Sequence, residues 1–126
     1  MTPLELGRLG EDAAVSFLRE KGYRILCCNQ FEMHEEIDII AETKDFRIFI
    51  EVKSRRQLPD IPTRFGAPCL AVTPKKQQHL ISCARKYNLA NKTKKPLRFD
   101  VIEVYFTKED IPKVIEIRHM EDAIRA

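Results

Sequence analysis

EIDIIAETKDFRIFIEVKSR, residues 36–55, sets acids and one lysine at matched positions inside two apolar, strand-like runs. Strand side chains alternate between faces, so Ile37, Ile39 and Ala41 share one face while Glu36, Asp38 and Ile40 share the other. In the second run Ile48, Ile50 and Val52 face away from Phe49, Glu51 and Lys53. The polar residues Thr43, Lys44 and Asp45 make the pair a hairpin. A turn centred between Lys44 and Asp45 puts Asp38 opposite Glu51, Ile40 opposite Phe49 and Glu36 opposite Lys53. This register leaves one face wholly apolar and the other with three acids and a lysine, and a one-residue slip would mix the two.

Directly opposed side chains on neighbouring strands have Cβ atoms about 4.5–5.5 Å apart, and like charges there are unfavourable. At an effective dielectric near 20, two negative charges about 5 Å apart repel by roughly 3 kcal/mol. A lysine offsets part of that, and a hard divalent cation taking oxygens from both acids reverses its sign. For an arbitrary Asp/Glu pair the plainer reading is a solvated strand face with the acids splayed. Here Glu51-Val52-Lys53 lines up a carboxylate, a main-chain carbonyl and an ammonium group in three residues. These are the parts of metal-assisted phosphodiester hydrolysis.

Outward from the hairpin, Thr2-Pro3-Leu4-Glu5 reads as a capping box with proline at the first helical position. Leu6, Leu9, Ala13 and Phe17, with Ala14 and Leu18 beside them, extend that helix to about Glu20, where Gly22 ends it. Tyr23–Asn29 reads as a first strand, 36–41 and 47–53 as the hairpin, and Ser54–Val72, with Pro59, Pro62, Gly66 and Pro68, as a long surface loop. Thr73-Pro74 opens a second helix ending near Asn88–Asn91. RFDVIEVYF and KVIEIRHM are two further strands, and the terminal EDAIRA is read as a short helix. The predicted order is α-β-β-β-α-β-β in a single α/β domain over residues 1–126.

A chain of 126 residues suits one core. With 44% hydrophobic and 33% charged residues it has the composition of a globular protein. No apolar run approaches the roughly 20 residues of a spanning helix, and the N-terminal stretch carries acids where a signal peptide would not, so the cytoplasm is the expected compartment. Cys27, Cys28, Cys69 and Cys83 have no zinc-site spacing and read as reduced structural residues. The net charge of +3 hides a block: residues 53–98 hold twelve of the 22 Lys and Arg and one acid, Asp60. That surplus of eleven leaves −8 on the rest of the chain and favours contact with a polyanion. The aromatic residues, Phe31 among them, lack the exposed interleaving of a stacking platform and read mostly as core; His34, His79 and His119 are assigned no role.

Asp38, a gap of twelve residues and Glu51-x-Lys53 resemble the PD-(D/E)xK nuclease motif, with Ile37 where the proline often stands. Around it lie Gly10-Glu11, Gly22-Tyr23 with Asn29, EIDIIA, IEVKSR, Ala71-Val72 with Lys76, and Arg98-Phe99-Asp100-Val101-Ile102. In that order and spacing the chain resembles the YraN family of small bacterial proteins over about residues 4–106. Glu35 departs from the pattern, standing where the family usually has glycine. The resemblance implies a restriction-endonuclease-like fold, a central mixed sheet flanked by helices, related to Holliday-junction resolvases. It also implies an acid from the first helix at the metal, and Glu11 stands at that position. Taken alone, Glu11 flanks the apolar stripe of its helix and reads as solvated, but Gly7 and Gly10 beside it each cost about 1 kcal/mol relative to alanine, which a close backbone or ligand approach would explain.

The expected function is a metal-dependent endonuclease hydrolysing phosphodiester bonds of DNA, with branched or junction DNA suggested by the resolvase-like fold. Asp38, Glu51 and Lys53 form its catalytic set. Mg²⁺ or Mn²⁺ is held by Glu11, Asp38, Glu51 and the Val52 carbonyl, and Lys53 orients or activates the nucleophile. Arg55, Arg56, Arg64, Lys75 and Lys76 are the expected nucleic-acid contacts. Lys75 and Lys76 oppose the dipole at the start of the second helix, a placement that a docked phosphate would explain. Lys92, Lys94 and Lys95 read as a solvated linker, and Arg98 and Asp100 as structural. A resolvase-like activity needs two active sites and hence a homodimer. The main alternative is a non-catalytic nucleic-acid-binding module of the same fold, and a further one is an adaptor that docks a protein on a hydrophobic strand edge.

Overall fold

The computed structural model describes residues 1–57 and 72–125. Helix α1 (Pro3–Glu20) starts at the Thr2–Glu5 capping box, in which each residue's side chain takes the other's backbone N–H. It ends where Gly22, at φ +90°, lets the Tyr23 N–H turn back to the Leu18 carbonyl and the Gly22 N–H to that of Arg19. Strands β1 (Arg24–Glu32), β2 (Glu35–Glu42) and β3 (Arg47–Arg56) follow, then α2 (Pro74–Ala90), β4 (Leu97–Phe106) and β5 (Val114–Ile124). The five strands form one sheet in the order β1-β2-β3-β4-β5, antiparallel throughout except for the parallel β3–β4 pair. This is the expected nuclease-like α/β architecture, with a helix on each face.

The alternation in the strands decides which helix lies where. Ile39, Ala41, Ile48, Ile50, Val52, Ile102 and Val104 pack under Ala14 and Leu18 of α1. Ile40, Phe49, Phe99 and Val101 pack under Leu80, Ile81, Cys83, Ala84 and Tyr87 of α2. The anticipated Ile40↔Phe49 register holds. Gly10 is where α1 touches β3: a Cβ built there would overlap the Ser54 hydroxyl and lie 3.1 Å from the Ser54 Cβ. Gly7 has no such neighbour, so close approach accounts for one of the two helical glycines and not the other.

Several expectations are corrected. Residues 121–124 are not helical but complete β5, because Ile124 pairs with Phe99 in the core and the Asp122 N–H bonds Asp100 Oδ1 at 2.9 Å. β3 runs on to Arg56 rather than stopping at Lys53, since parallel β4 continues to pair with it to Phe106. The β2–β3 ladder ends at Ile39↔Ile50, so neither Asp38 and Glu51 nor Glu36 and Lys53 pair across it. Ile37 joins the α2-side cluster, apart from Ile39 and Ala41, which breaks the strict alternation at Asp38. The break lies opposite Asn29, which has a left-handed φ of 53° between the Cys28↔Ile39 and Gln30↔Ile37 pairs. Lys95 is not a free linker cation: it lies 3.4 Å from Glu42, beside the buried Glu42–Arg47 pair that closes the opposite end of the hairpin. No helix among the described residues is long and apolar enough to cross a membrane.

Candidate functional site

Where β2 leaves β3, a side chain replaces the missing ladder partner. The Val52 N–H donates to Asp38 Oδ2 at 2.8 Å. Within a strand the N–H and C=O of one residue point toward the same neighbour, so the Val52 carbonyl also faces this gap, on the side away from β4. Glu51, only 5% exposed, has one carboxyl oxygen 3.6 Å from Lys53 Nζ, while the other, Oε2, is buried without a hydrogen-bond partner. Burial pushes the Asp38 carboxyl up to about 7, with the Glu51 charge adding to the rise, and the Val52 N–H only partly opposes them. Burial also raises Glu51, against the pull of Lys76 and Lys53. Each carboxyl thus acts on the other's titration. Asp38, Glu51 and Lys53 therefore lie together at the end of the β2–β3 ladder.

Glu11 approaches from α1, and its charge adds to the rise at Asp38. Its Oε1 accepts from Asn29 Nδ2 at 2.8 Å and lies 3.1 Å from Arg8, and Asn29 also reaches Glu36 at 3.4 Å. From the other face, Lys76 at the start of α2 stabilises both carboxylates while pairing with Glu35 at 3.6 Å, and His79 lies 3.2 Å from the same Glu35. Glu35, the departure from the family pattern, thus ties the β2 start to α2. Asn29 and Arg8 are the parts of the site to which sequence reasoning gave no role. Asparagine's tolerance of left-handed backbone was the available signal for the first, and Arg8 had only its i,i+3 spacing to Glu11.

Among the described residues no three His, Cys, Asp or Glu side chains are already gathered tightly enough to hold a metal ion. The donors that do converge are hard oxygens: the two abutting carboxyls, one with a free buried oxygen, and the Val52 carbonyl. That set fits a hard divalent cation, which would relieve the repulsion between the two acids. Glu11 is held one step back by Asn29 and Arg8.

The expected phosphate contacts separate. Arg55 lies on the same face as Lys53, half-exposed, 3.7 Å from Glu103. Arg56 points to the other face, where its guanidinium donates to the Glu109 carbonyl at 3.1 Å and braces the β4–β5 connection. Lys75 is exposed in the first turn of α2. Arg64 lies outside the described residues. Arg98 and Asp100 form a second network at the start of β4, where Asp100 pairs with Ile50. Asp100 accepts from Arg98 Nε and Nη2 at 2.9 and 2.8 Å, lies 2.8 Å from His119 Nε2, and Arg98 also donates to the Tyr23 hydroxyl at 2.8 Å.

Comparison with known proteins places the chain in a family. The family described as "Uncharacterised protein family UPF0102" matches residues 10–104. A UPF0102 protein of Alkaliphilus oremlandii is 43% identical over 122 residues, covering 94% of this chain and 97% of its own. One from Flavobacterium psychrophilum is 38% identical, covering 94% and 92%, and one from Clostridioides difficile is 41% identical, covering 91% and 97%. The match spans Glu11, Asp38, Glu51, Lys53 and Lys76 alike, and this chain belongs to the UPF0102 family, the YraN group.

Proposed function

We propose that this protein is a metal-dependent endonuclease that hydrolyses phosphodiester bonds of DNA, acting as a homodimer on branched or junction substrates. The observation that carries the reading is the Asp38–Glu51 pair: two abutting carboxyls with raised pKa values and an unpartnered buried oxygen, beside Lys53 and a main-chain carbonyl released from the sheet. Such a pair is costly for a protein that only binds a polyanion, and raised carboxyl pKa values cluster at functional sites.

Asp38, Glu51 and the Val52 carbonyl would hold Mg²⁺ or Mn²⁺, with Glu11 joining once Asn29 and Arg8 release it. The ion supplies Lewis acidity and charge neutralisation at the attacked phosphate. Lys53 is held at the pair by Glu51, where its ammonium orients the attacking water. Lys76 and Lys75 offer cations and backbone N–H groups at the α2 N-terminus to the flanking phosphates. Arg55 extends the cationic track along β3, and Arg64 belongs to the same cationic block of the sequence.

Cleavage of duplex, flap and four-way-junction DNA by purified protein in Mg²⁺ and Mn²⁺ tests the reading, with Asp38→Asn and Lys53→Ala as controls. Each variant is expected to lose activity by about 10²–10⁴-fold, the range for removing a positioned proton-transfer or charge-stabilising group. Undiminished cutting by the variants would assign the activity to a contaminant. Salt-dependent binding with no cleavage in any metal or substrate would assign the protein to the non-catalytic alternative.

A further inference from the structure

Phe31 and Met33 stand in the open at the end of the β1–β2 hairpin, 60% and 52% exposed, although folding ordinarily buries such side chains. The hairpin closes at the Glu32↔Glu35 pair, so its loop is the dipeptide Met33-His34, with φ of 50° and 67°. Two-residue turns of this hand suit the twist of the strands but favour asparagine and glycine, since a side chain in that region strains the backbone. The tip therefore holds bulky residues where small ones would fold more easily, and presents two of them to solvent.

The tip is fixed to the candidate site. Phe31 meets the His34 ring edge-on with centroids 6.4 Å apart. The Cys83 thiol of α2 donates to the Glu32 carbonyl at 3.3 Å, and Glu35 is held by Lys76 and His79. Phe31 pairs across the ladder with Glu36, two residues from Asp38. That is about 7 Å along the strand.

We infer that Phe31, with Met33 beside it, is a stacking subsite for one unstacked nucleobase adjacent to the phosphodiester held at Asp38 and Glu51. The inference rests on the nuclease reading and adds the class of substrate to it. Glu32, Glu35 and Glu36 surround the tip and repel phosphates, so the uncharged face of a base is the part of a nucleic acid this surface accepts. Stacking on an aromatic ring is tolerant of base identity. A fully stacked duplex presents no free base face, so the preferred substrates carry an unpaired base at a bulge, flap or branch point.

The test measures binding in EDTA, in an Asp38→Asn background so that no strand is cut. Its probes are a perfect duplex and the same duplex with an internal unpaired stretch carrying 2-aminopurine. Phe31→Ala is expected to weaken binding to the bulged DNA about tenfold and to change the perfect duplex by less than about twofold. It should also abolish the change in 2-aminopurine fluorescence on binding, and Phe31→Tyr should restore both. Lys76→Ala, a phosphate contact, is expected to weaken both DNAs equally. Loss with Lys76→Ala but none with Phe31→Ala, or equal losses on both DNAs with Phe31→Ala, overturns the stacking subsite and leaves the nuclease reading standing. Failure to bind either DNA overturns the stacking subsite, and cleavage in Mg²⁺ and Mn²⁺ by the unaltered protein tests the nuclease reading separately.

Discussion

The same sheet buries two groups of carboxylates and treats them in opposite ways. Around Asp100 the protein supplies every partner itself: a two-nitrogen contact from Arg98, His119 and the Asp122 N–H. Burial alone would raise the Asp100 carboxyl, but the bonds from His119 and Arg98 outweigh it and hold the group below the usual carboxylate range. Around Asp38 and Glu51 the balance goes the other way. Burial and mutual repulsion prevail over one N–H and two lysines, and a carboxyl oxygen is left without a partner. The first cluster is complete as folded; the second is complete only with a proton or a cation from outside. Buried acidity alone therefore does not separate the two clusters, and the unfilled hydrogen-bonding capacity at Glu51 does.

Breaking the completed cluster has the largest expected effect. Asp100→Ala leaves Arg98 without its carboxylate partner, and removing one member of a buried pair costs about 3–5 kcal/mol. Urea unfolding checks this, and a loss below 1 kcal/mol would mean that water satisfies Arg98. Asp38→Asn is expected to have the opposite sign, raising the melting temperature in EDTA at pH 8 by about 5 °C.

The pH dependence sharpens the contrast. The folded pKa of Asp38, about 7, lies above its ordinary value of 3.8, so between these the folded state binds more protons than the unfolded. Asp38 thus contributes stability that is fully present below about pH 4 and is lost as pH rises through 7. Asp100, with its lowered pKa, contributes stability that is present above the ordinary carboxylate pKa and lost on further acidification. Thermal melts in EDTA should show stability falling from pH 4 to 7.5, with Asp38→Asn flattening that slope and leaving the acid limb unchanged. Added Mg²⁺ should raise the melting temperature at pH 8 and barely at pH 5, where the pair holds its proton. An equal shift at both values would place the ion elsewhere.

Two helical glycines give the smallest effects and a local control. Gly10→Ala forces α1 away from Ser54, next to Lys53, at an expected cost of about 1–3 kcal/mol. Gly7→Ala meets nothing and should stabilise by about 0.5–1 kcal/mol. Hydrogen exchange should show the Gly10→Ala disturbance near Ser54 and not at the Asp100 network, which Tyr23 contacts from beyond the end of α1. Uniform loosening of both would show that the two clusters do not respond independently.

Much of this was legible in residue order because it depends on local chemistry. The Thr2–Glu5 box and Gly22 bound α1, Thr73-Pro74 starts α2, and a short polar turn with a buried aliphatic face pairs Ile40 with Phe49. Elsewhere the pattern misled. EDAIRA has the composition of a helix end, yet Ile124 is captured by Phe99 across the sheet. Phe31 looks like a core residue and is exposed, because the tip that carries it extends beyond both helices' apolar clusters.

The sequence by itself determined the element order, the two apolar faces of the sheet and the hairpin register as far as Ile39↔Ile50, since alternation and turn length act over a few residues. Only the tertiary structure decided that β2 departs from β3 at that point, that Asn29 and Arg8 hold Glu11 back, and that Asp100 is satisfied while Glu51 is not. Those outcomes depend on which distant groups arrive to share a desolvated space, and spacing along the chain carries no record of that competition.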